Sequence, residues 1–574
     1  MERRVLVAIF LSFIVLYLYQ AFVAKPVPKP ADVVATDTTA PPPASTTKPS
    51  EGGTATTGAS SPALPAAAPL VGASSEQDVR VETQDVTAVF TNRGARLKSY
   101  RLKHYFDQSH APQELVPGDG SPAQPFPFSL RASDERVTST LNSALYAVAG
   151  APIASTVVTA QTAIRFEYRD SAGLHAVKEF HLAPASYILE FQCTVTQNDA
   201  AVPTSMDWGP AVGDLGENSR FTRKAEGLIF QDGKAVRLAA KDIAKQPVRQ
   251  GDFHYAGVDD NYFMAVALFP GVASVTYRTV SLPPPAGSTD PPRDLVAFSI
   301  EGAGGPQKFF AGPKDFDLLM SIDRDVARAI DFGMFSILVV PLLRSLKWVN
   351  SYIGNYGWSI IILTIIINVI MFPLRHKSVV SMRKMQEIQP EAKAIQDRYA
   401  KLKATDPAKQ KMNQELMTLY RERGVNPASG CVPMLLTMPV LLAMWALLST
   451  SIELRGAPWM GWIHDLSTHD PFYITPLLMG ASQVWQQRIT PAAGADPAQQ
   501  KMMMFMPVMF TVMFLWLPAG VAIYYAVSNL WGIGQQYLTN YLIGPPKVRT
   551  VRPPAERRVK RPAGAAGEAA PREN

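Results

Sequence analysis

The sequence predicts an α-helical membrane protein: a five-helix core and an N-terminal signal anchor, joined to a large external all-β sandwich. Three observations carry this prediction. Long apolar runs recur from about residue 356 onward, period-two alternation fills 79–330, and a basic N-terminus precedes a first apolar stretch. The averages alone are uninformative, because 47% hydrophobic and 18% charged residues are segregated along the 574-residue chain. Two cysteines exclude a disulfide scaffold.

Arg3 and Arg4 precede the apolar stretch Val5–Val23, about 19 residues, long enough to span roughly 30 Å of hydrocarbon. A cleaved secretory signal is the competing reading. It would need small residues at the cleavage site, but Tyr19 lies two before Ala21 and Phe22 two before Ala24. An uncleaved anchor over 1–24 is expected, with the arginines holding the N-terminus in the cytoplasm. Residues 25–78, rich in Pro, Ala, Thr and Ser, read as a flexible linker.

Within 79–330, "AIRFEYRD" places Ile164, Phe166 and Tyr168 on one face. "SYILEFQCTV" does the same with Tyr187, Leu189, Phe191, Cys193 and Val195. Short strands with Pro and Gly punctuation imply a sandwich. No nucleophile–base pattern or metal spacing stands out, and His104, His110 and His254 read as surface or core residues. Residues 331–355 combine a broad apolar face with Arg344, Lys347 and Trp348, as expected of an amphipathic interfacial helix and its connection.

Five further spans are expected at Trp358–Leu374, Cys431–Leu448, Phe472–Gln487, Met502–Leu517 and Val521–Tyr541, forming a core over 356–541. Twelve Lys/Arg fall in 375–428 and eight in the tail from 547, against Arg455 alone in 451–470. The positive-inside bias therefore puts both termini in the cytoplasm and the β-domain outside. Cys193 and Cys431 then lie on opposite sides and form no intramolecular disulfide.

Between the first two core spans, Met385, Ile388, Ala392, Ile395, Tyr399 and Leu402 make a heptad seam, resumed by Met412, Leu416 and Leu419. A cytoplasmic coiled-coil hairpin over 376–423 is expected. Its basic outer face, with Arg383, Lys384, Lys393, Arg398, Lys401 and Lys403, suits an acidic surface such as ribosomal RNA, or merely a solvated face. The basic tail occupies 542–574.

The predicted spans contain no Asp, Glu, Lys, Arg or His, which counts against coupled transport and intramembrane acid–base catalysis. Polar candidates remain. Thr364 and Asn368 are four apart on one helical face, Thr437 sits at similar depth, and Gln483 lies in the short fourth span. Interhelical hydrogen bonding is the alternative role for these groups. "KMMMFMPVMFTVMF" offers a deformable methionine surface for apolar partners.

"MFPLR", "SMRKMQEIQP", "NPASGCVPMLLTMPV", "FMPVMFTVMFLWLPAG" and "YYAVSNLWGIGQQY" resemble the YidC family of bacterial membrane protein insertases. The order of anchor, linker, β-domain and five-helix core resembles its Gram-negative six-span form. The resemblance is specific in 356–541 and architectural in 79–330.

It implies a non-enzymatic insertase and chaperone of the bacterial inner membrane, without cofactor or metal. Nascent membrane proteins would enter a hydrophilic groove open to cytoplasm and lipid, alone or beside the Sec translocon. The ribosome, the signal recognition particle receptor and membrane lipids would be partners, and DNA would not. Groove candidates are Thr364, Asn368, Thr437, Gln483 and Tyr525. Client spans would slide along the third and fifth helices, past Val432, Leu435, Leu436 and Met438, and past Phe505, Val508, Met509 and Val512.

Two departures from the family pattern stand out. "NPxGGC" reads "NPASGC", with Ser429 for a glycine, and the family's groove arginine aligns with Asn368. Arg375 and His376 are expected at the cytoplasmic mouth, too far along to replace it. A small-solute transporter or lipid scramblase using the same cavity is the alternative, and an assembly factor acting through the β-domain is a third reading.

Overall fold

A computed structural model of the protein describes residues 68–107, 109–116, 126–150, 156–209, 212, 224–282, 293–301, 305–399, 408–424, 432–489 and 497–544. The anchor over 1–24, most of the linker and the tail beyond 544 lie outside these residues. The alternating segments form strands in two sheets of fourteen and five strands. At the centre, Thr162–Asp170 (β1), Leu174–Leu182 (β2) and Ile188–Gln197 (β3) run antiparallel, pairing Phe180 with both Ile164 and Phe191. Ile164, Phe166, Tyr168, Leu189 and Phe191 point inward, as alternation requires. The smaller sheet closes over them, with the Phe90 ring 4.7 Å from that of Phe180.

One boundary differs from the sequence expectation. Pro69–Val71 is already an edge strand pairing with β1, so the linker ends before residue 69. An edge strand tolerates a proline that a central strand would exclude.

Helices in the β-domain are Glu135–Ser143 (α1), Ala240–Ile243 (α2) and Phe316–Ile322 (α3). The connection 331–355 becomes helix Ser336–Ile353 (α4), closed by left-handed Gly354. Val339, Leu343, Leu346 and Val349 are buried at helical spacing, whereas Ile337, Trp348 and Tyr352 are exposed. Both faces of α4 are thus apolar, one covered by protein.

The core follows as Tyr356–Glu387 (α5), Gln389–Arg398 (α6), Ala408–Glu422 (α7), Val432–Thr450 (α8), Ile474–Ile489 (α9), Pro497–Phe514 (α10) and Ala519–Ile543 (α11). A helix occupies each of the five expected span positions. Among the described residues, however, only Tyr356–Met385 is both long and apolar enough to cross a membrane by itself; Thr437–Thr450 and Phe505–Phe514 are shorter apolar stretches. For α11 the reason is compositional, since it carries Asn529, Gln535, Gln536, Thr539 and Asn540, whereas α9 is only 16 residues long. The polar side chains lower the hydropathy of α11, which packs among its neighbours.

α11 is central, packing on α5, α8 and α9, while α10 packs on α9. Gly480 permits that last approach, since a Cβ there would stand 2.0 Å from Thr511 Oγ1. α4 packs on α5 and α8.

Charged residues tie the helices to the β-domain. Lys347 of α4 reaches Asp315 at 3.3 Å, Asp317 at 2.6 Å and Glu453 at 3.1 Å. Arg455 donates to Phe106 O and to Gln113 Oε1, each at 2.7 Å. Asn261 Nδ2 donates to Ser449 O at 3.1 Å.

Candidate functional site

The polar residues picked out on α5 form a ladder along one face. Thr364 Oγ1 donates to Ile360 O at 2.6 Å, and Asn368 Nδ2 donates to Thr364 O at 2.8 Å. Both side chains are enclosed, at 0% and 2% exposure. The ladder continues where the sequence expectation stopped. Arg375 Nη1 donates to Asn368 Oδ1 at 2.7 Å. The placement of Arg375 at the mouth is therefore corrected. Side chains on a helix lean toward its N-terminus, so an arginine seven residues later brings its charge back along the same face.

α11, which packs on α5, carries a polar stripe missed in the sequence, with Thr539 Oγ1 3.5 Å from His376 Nδ1 of α5. Gln535, Gln536 and Thr539 are buried, and Asn529 Nδ2 donates to Ser482 Oγ of α9 at 3.1 Å. Gln535 Nε2 and Gln483 Oε1 are buried without a hydrogen-bond partner among the described residues. The signal was present in "SNLWGIGQQYLTN", whose polar and small residues recur every three or four positions.

Thr437 is half-buried and engaged in a polar interaction. Tyr525 is half-buried in an aromatic cluster, 4.9 Å from the Phe514 ring and 5.4 Å from that of Tyr524. It packs at the junction of α10 and α11.

The apolar candidates present a different surface. Phe505, Val508, Met509 and Val512 fall at i, i+3, i+4 and i+7 of α10 and are all exposed, Phe505 at 74% and Met509 at 63%. Met438 of α8 is exposed as well. Val432, Leu435 and Leu436 lie on α8, with side chains outside the described set.

The hairpin is built differently from the expected pair of separate helices. α5 runs without interruption through Glu387, and its arm continues after a break at Ile388 as α6, with Pro390 near its start. α6 and α7 are antiparallel, crosslinked by Arg423–Glu391 at 2.8 Å and Arg398–Glu415 at 3.0 Å. Ile388, Ala392 and Leu416 are buried in their seam.

Of the basic candidates, Lys384, Lys393 and Arg398 are exposed. Lys401 and Lys403 lie outside the described residues. Arg383 is corrected: it is buried, donating from Nη1 to Gly544 O at 2.6 Å and from Nη2 to Asn540 Oδ1. Its fork caps the carbonyl end of α11 instead of facing solvent.

The β-domain has one group of potential metal ligands among the described residues, His254, Asp323 and Asp325, within 4.8 Å of one another. His254 Nε2 and Asp323 Oδ1 already pair at 2.9 Å, and Arg328 occupies Asp325 at 3.0 Å. The neighbouring guanidinium disfavours a cation there. Cys193 is a free thiol, pushed up to about 11 by burial; Cys431 lies outside the described residues.

Comparison with known proteins covers nearly all of this architecture. A family model described as "60Kd inner membrane protein" matches residues 348–545, and one described as "YidC periplasmic domain" matches 78–345. The chain is 34% identical over 566 residues to a membrane protein insertase YidC of Syntrophus aciditrophicus (strain SB), covering 94% of this chain and 99% of the relative. It is also 34% identical over 575 residues to a membrane protein insertase YidC of Pelobacter propionicus, covering 95% and 100%. Among solved structures, an active YidC insertase crystal structure with its first transmembrane domain resolved aligns over 83% of this chain and 95% of that one, at 19% identity and a TM-score of 0.34.

Proposed function

The chain belongs to the YidC family of membrane protein insertases, and we propose that its clients pass along the polar seam between α5 and α11 while their apolar spans lie against α10. It is a non-enzymatic inner-membrane protein whose substrates are nascent membrane proteins. The observation that carries the route is the presence in one helical core of enclosed polar side chains at Thr364, Asn368, Gln535 and Thr539 and an exposed apolar stripe at Phe505, Val508, Met509 and Val512.

The physics favours that division. Each unsatisfied backbone group costs several kcal/mol in hydrocarbon. A polar seam lets a client's hydrophilic segment trade water for side-chain partners over part of that distance. Burial of the client's own apolar helix in lipid then drives release, with no chemical step. Thr437 and Gln483 add polar lining from α8 and α9, and the exposed Met438 extends the apolar client surface to α8.

The hairpin, the tail and both termini are assigned to the cytoplasm and the β-domain to the periplasm, which the charge bias between 375–428 and 451–470 supports. The exposed Lys384, Lys393 and Arg398 suit ribosome docking. The Sec translocon and the signal recognition particle receptor are further proposed partners. The exposed face of α4, with Trp348 and Tyr352, suits the outer lipid interface. The domain scheme assigns 356–541 to the insertase core.

Photocrosslinking of a ribosome-bound nascent chain tests the route at positions 368, 432 and 509. The expected result is capture of the client's polar segment at 368 and its apolar span at 432 and 509. Efficient insertion with no capture at any of them would overturn it. Deleting roughly 79–320 tests the β-domain reading: the remaining core should still support insertion.

A further inference from the structure

Methionine concentrates on one helix of the core. Six of the chain's 21 methionines lie between 502 and 513, all on α10, so the chemistry of that helix surface is largely thioether chemistry. Met506 and Met509, three residues apart, are neighbours on the helix surface and both exposed, Met509 at 63%. Met438 of α8 is exposed as well. Met444 of α8 and Met479 of α9 are instead enclosed, at 0% and 1%.

Methionine suits a surface that meets many apolar helices. Its side chain is unbranched, has three rotatable bonds and ends in a polarizable sulfur, so it adapts to partners of different shape. The same sulfur carries the lone pairs through which a thioether is oxidised. Leucine or valine would pack clients without that reactivity. A hydroperoxide is small and uncharged, so hydrocarbon does not exclude it as it excludes an ion. An exposed sulfur such as that of Met509 is open to it, and an enclosed one such as that of Met444 is shielded.

We propose that Met509, with Met506 and Met438, is an oxidative modification site, where a hydroperoxide converts the exposed thioethers to sulfoxides and the wall so altered no longer carries apolar client spans. The proposal rests on the route given above and adds its regulation. In the reaction the sulfur lone pair takes the terminal oxygen of the hydroperoxide and the O–O bond breaks. The remaining oxygen takes up the proton and leaves as water or an alcohol. Sulfur loses two electrons and the peroxide gains them. The product sets an S=O dipole among Phe505, Val508 and Val512. Hydrocarbon offers it no donor, so it faces a client unpaired or draws water to the contact. Either arrangement weakens the hold on an apolar span.

The experiment uses the full-length protein in proteoliposomes, treated with hydrogen peroxide that is removed before a nascent client is supplied. Each protein is compared with its own untreated rate. Peptide mass spectrometry should find the added oxygen on Met438, Met506 and Met509 before Met444 and Met479. Wild-type insertion of a client with a wholly apolar span should fall about tenfold, the effect of one polar group left unpaired at the contact. The triple variant Met438→Leu, Met506→Leu, Met509→Leu should keep most of its own untreated rate. The variant Met334→Leu, Met417→Leu, Met460→Leu, which removes exposed methionines elsewhere, should lose insertion as wild type does.

Undiminished insertion by wild type carrying sulfoxide at 506 and 509 would overturn the proposal. Equal loss in the first triple variant would also overturn it and assign the damage to other residues. Oxidation of Met334, Met417 and Met460 with Met506 and Met509 untouched would overturn it by showing the stripe closed to the oxidant. A crosslinker at position 508 separates the proposal from the route. Capture of the client's span before treatment and its loss on sulfoxide formation support both, whereas no capture in the untreated protein overturns the route itself. Capture and insertion that both persist after oxidation overturn this proposal alone.

Discussion

Lys347 and Glu453, 106 residues apart, meet at 3.1 Å and join the helix after the β-domain to the loop after α8. The contact is part of a cluster in which one ammonium faces Asp315, Asp317 and Glu453. Burial alone would lower the Lys347 ammonium, but the hydrogen bond to Asp317 and the charges of Glu453 and Asp315 outweigh it and hold it raised. Burial also raises the Glu453 carboxyl.

Lys347→Met should therefore destabilise this junction by about 2–3 kcal/mol at pH 7, because three carboxylates lose their cation and Glu453 is nearly enclosed. The sign of its pH dependence follows from the raised Glu453. In the variant the folded state retains protons that the unfolded chain has released, so stability falls as pH rises above the ordinary carboxylate range. Thermal unfolding in detergent should show the variant approaching wild type at about pH 4.5, the ordinary value for Glu. Glu453→Gln should be mild, since Lys347 keeps two aspartates.

Arg383→Ala should free the end of α11 from the α5 arm. Hydrogen bonds from a guanidinium to Gly544 O and Asn540 Oδ1 are worth about 2 kcal/mol together in this largely buried site. Spin labels on Lys393 and Tyr541 should report a broader distance distribution, with reduced insertion. Arg383→Lys should recover only part of the loss, because a point charge cannot reproduce the planar fork. An unchanged distribution would remove Arg383 as the fastening of the hairpin.

Lys178 occupies an inward position of β2 and donates to Gly94 O and Phe128 O at 2.7 Å and to Ala95 O at 3.3 Å. Gly94, Ala95 and Phe128 all have positive φ, so the ammonium secures a backbone that would otherwise relax. Lys178→Met should cost the β-domain about 2 kcal/mol by leaving those carbonyls unsatisfied. Burial pushes Lys178 down to about 7 from 10.5, so above pH 7 the unfolded chain binds a proton that the folded one has lost. Wild-type stability should accordingly gain on the variant between pH 7 and pH 10 in thermal melts.

Gly480→Val should push α9 from α10, because even a Cβ falls 2.0 Å from Thr511 Oγ1. Overpacking of this kind costs about 1–3 kcal/mol. Thr511→Ala in the same chain should recover part of the lost thermal stability, and no recovery would place the strain elsewhere.

Cys193 should resist maleimide at pH 8 until the β-domain unfolds, since a thiol near 11 is only about one part in a thousand thiolate at that pH. Rapid labelling of the folded protein would contradict a raised thiol.

Much of this protein is legible in its sequence because the relevant patterns are local. Alternation fixed the inward face of Ile164, Phe166 and Tyr168, and hydropathy located all five core helices. Helical spacing put Thr364 and Asn368 on one enclosed face and Phe505, Val508, Met509 and Val512 on another. The polar stripe of α11 was readable by the same rule but was hidden by treating the helix as an apolar span.

What only the tertiary structure decided is where long side chains end. Sequence position put Arg375 at the mouth and Arg383 on an outer basic face. Packing of α5 against α11 sends one guanidinium back to Asn368 and the other to Gly544. A helix period gives the direction of a Cβ, but an arginine spans two helical turns beyond it. Its endpoint is set by which neighbouring helix supplies acceptors and which side is closed to water.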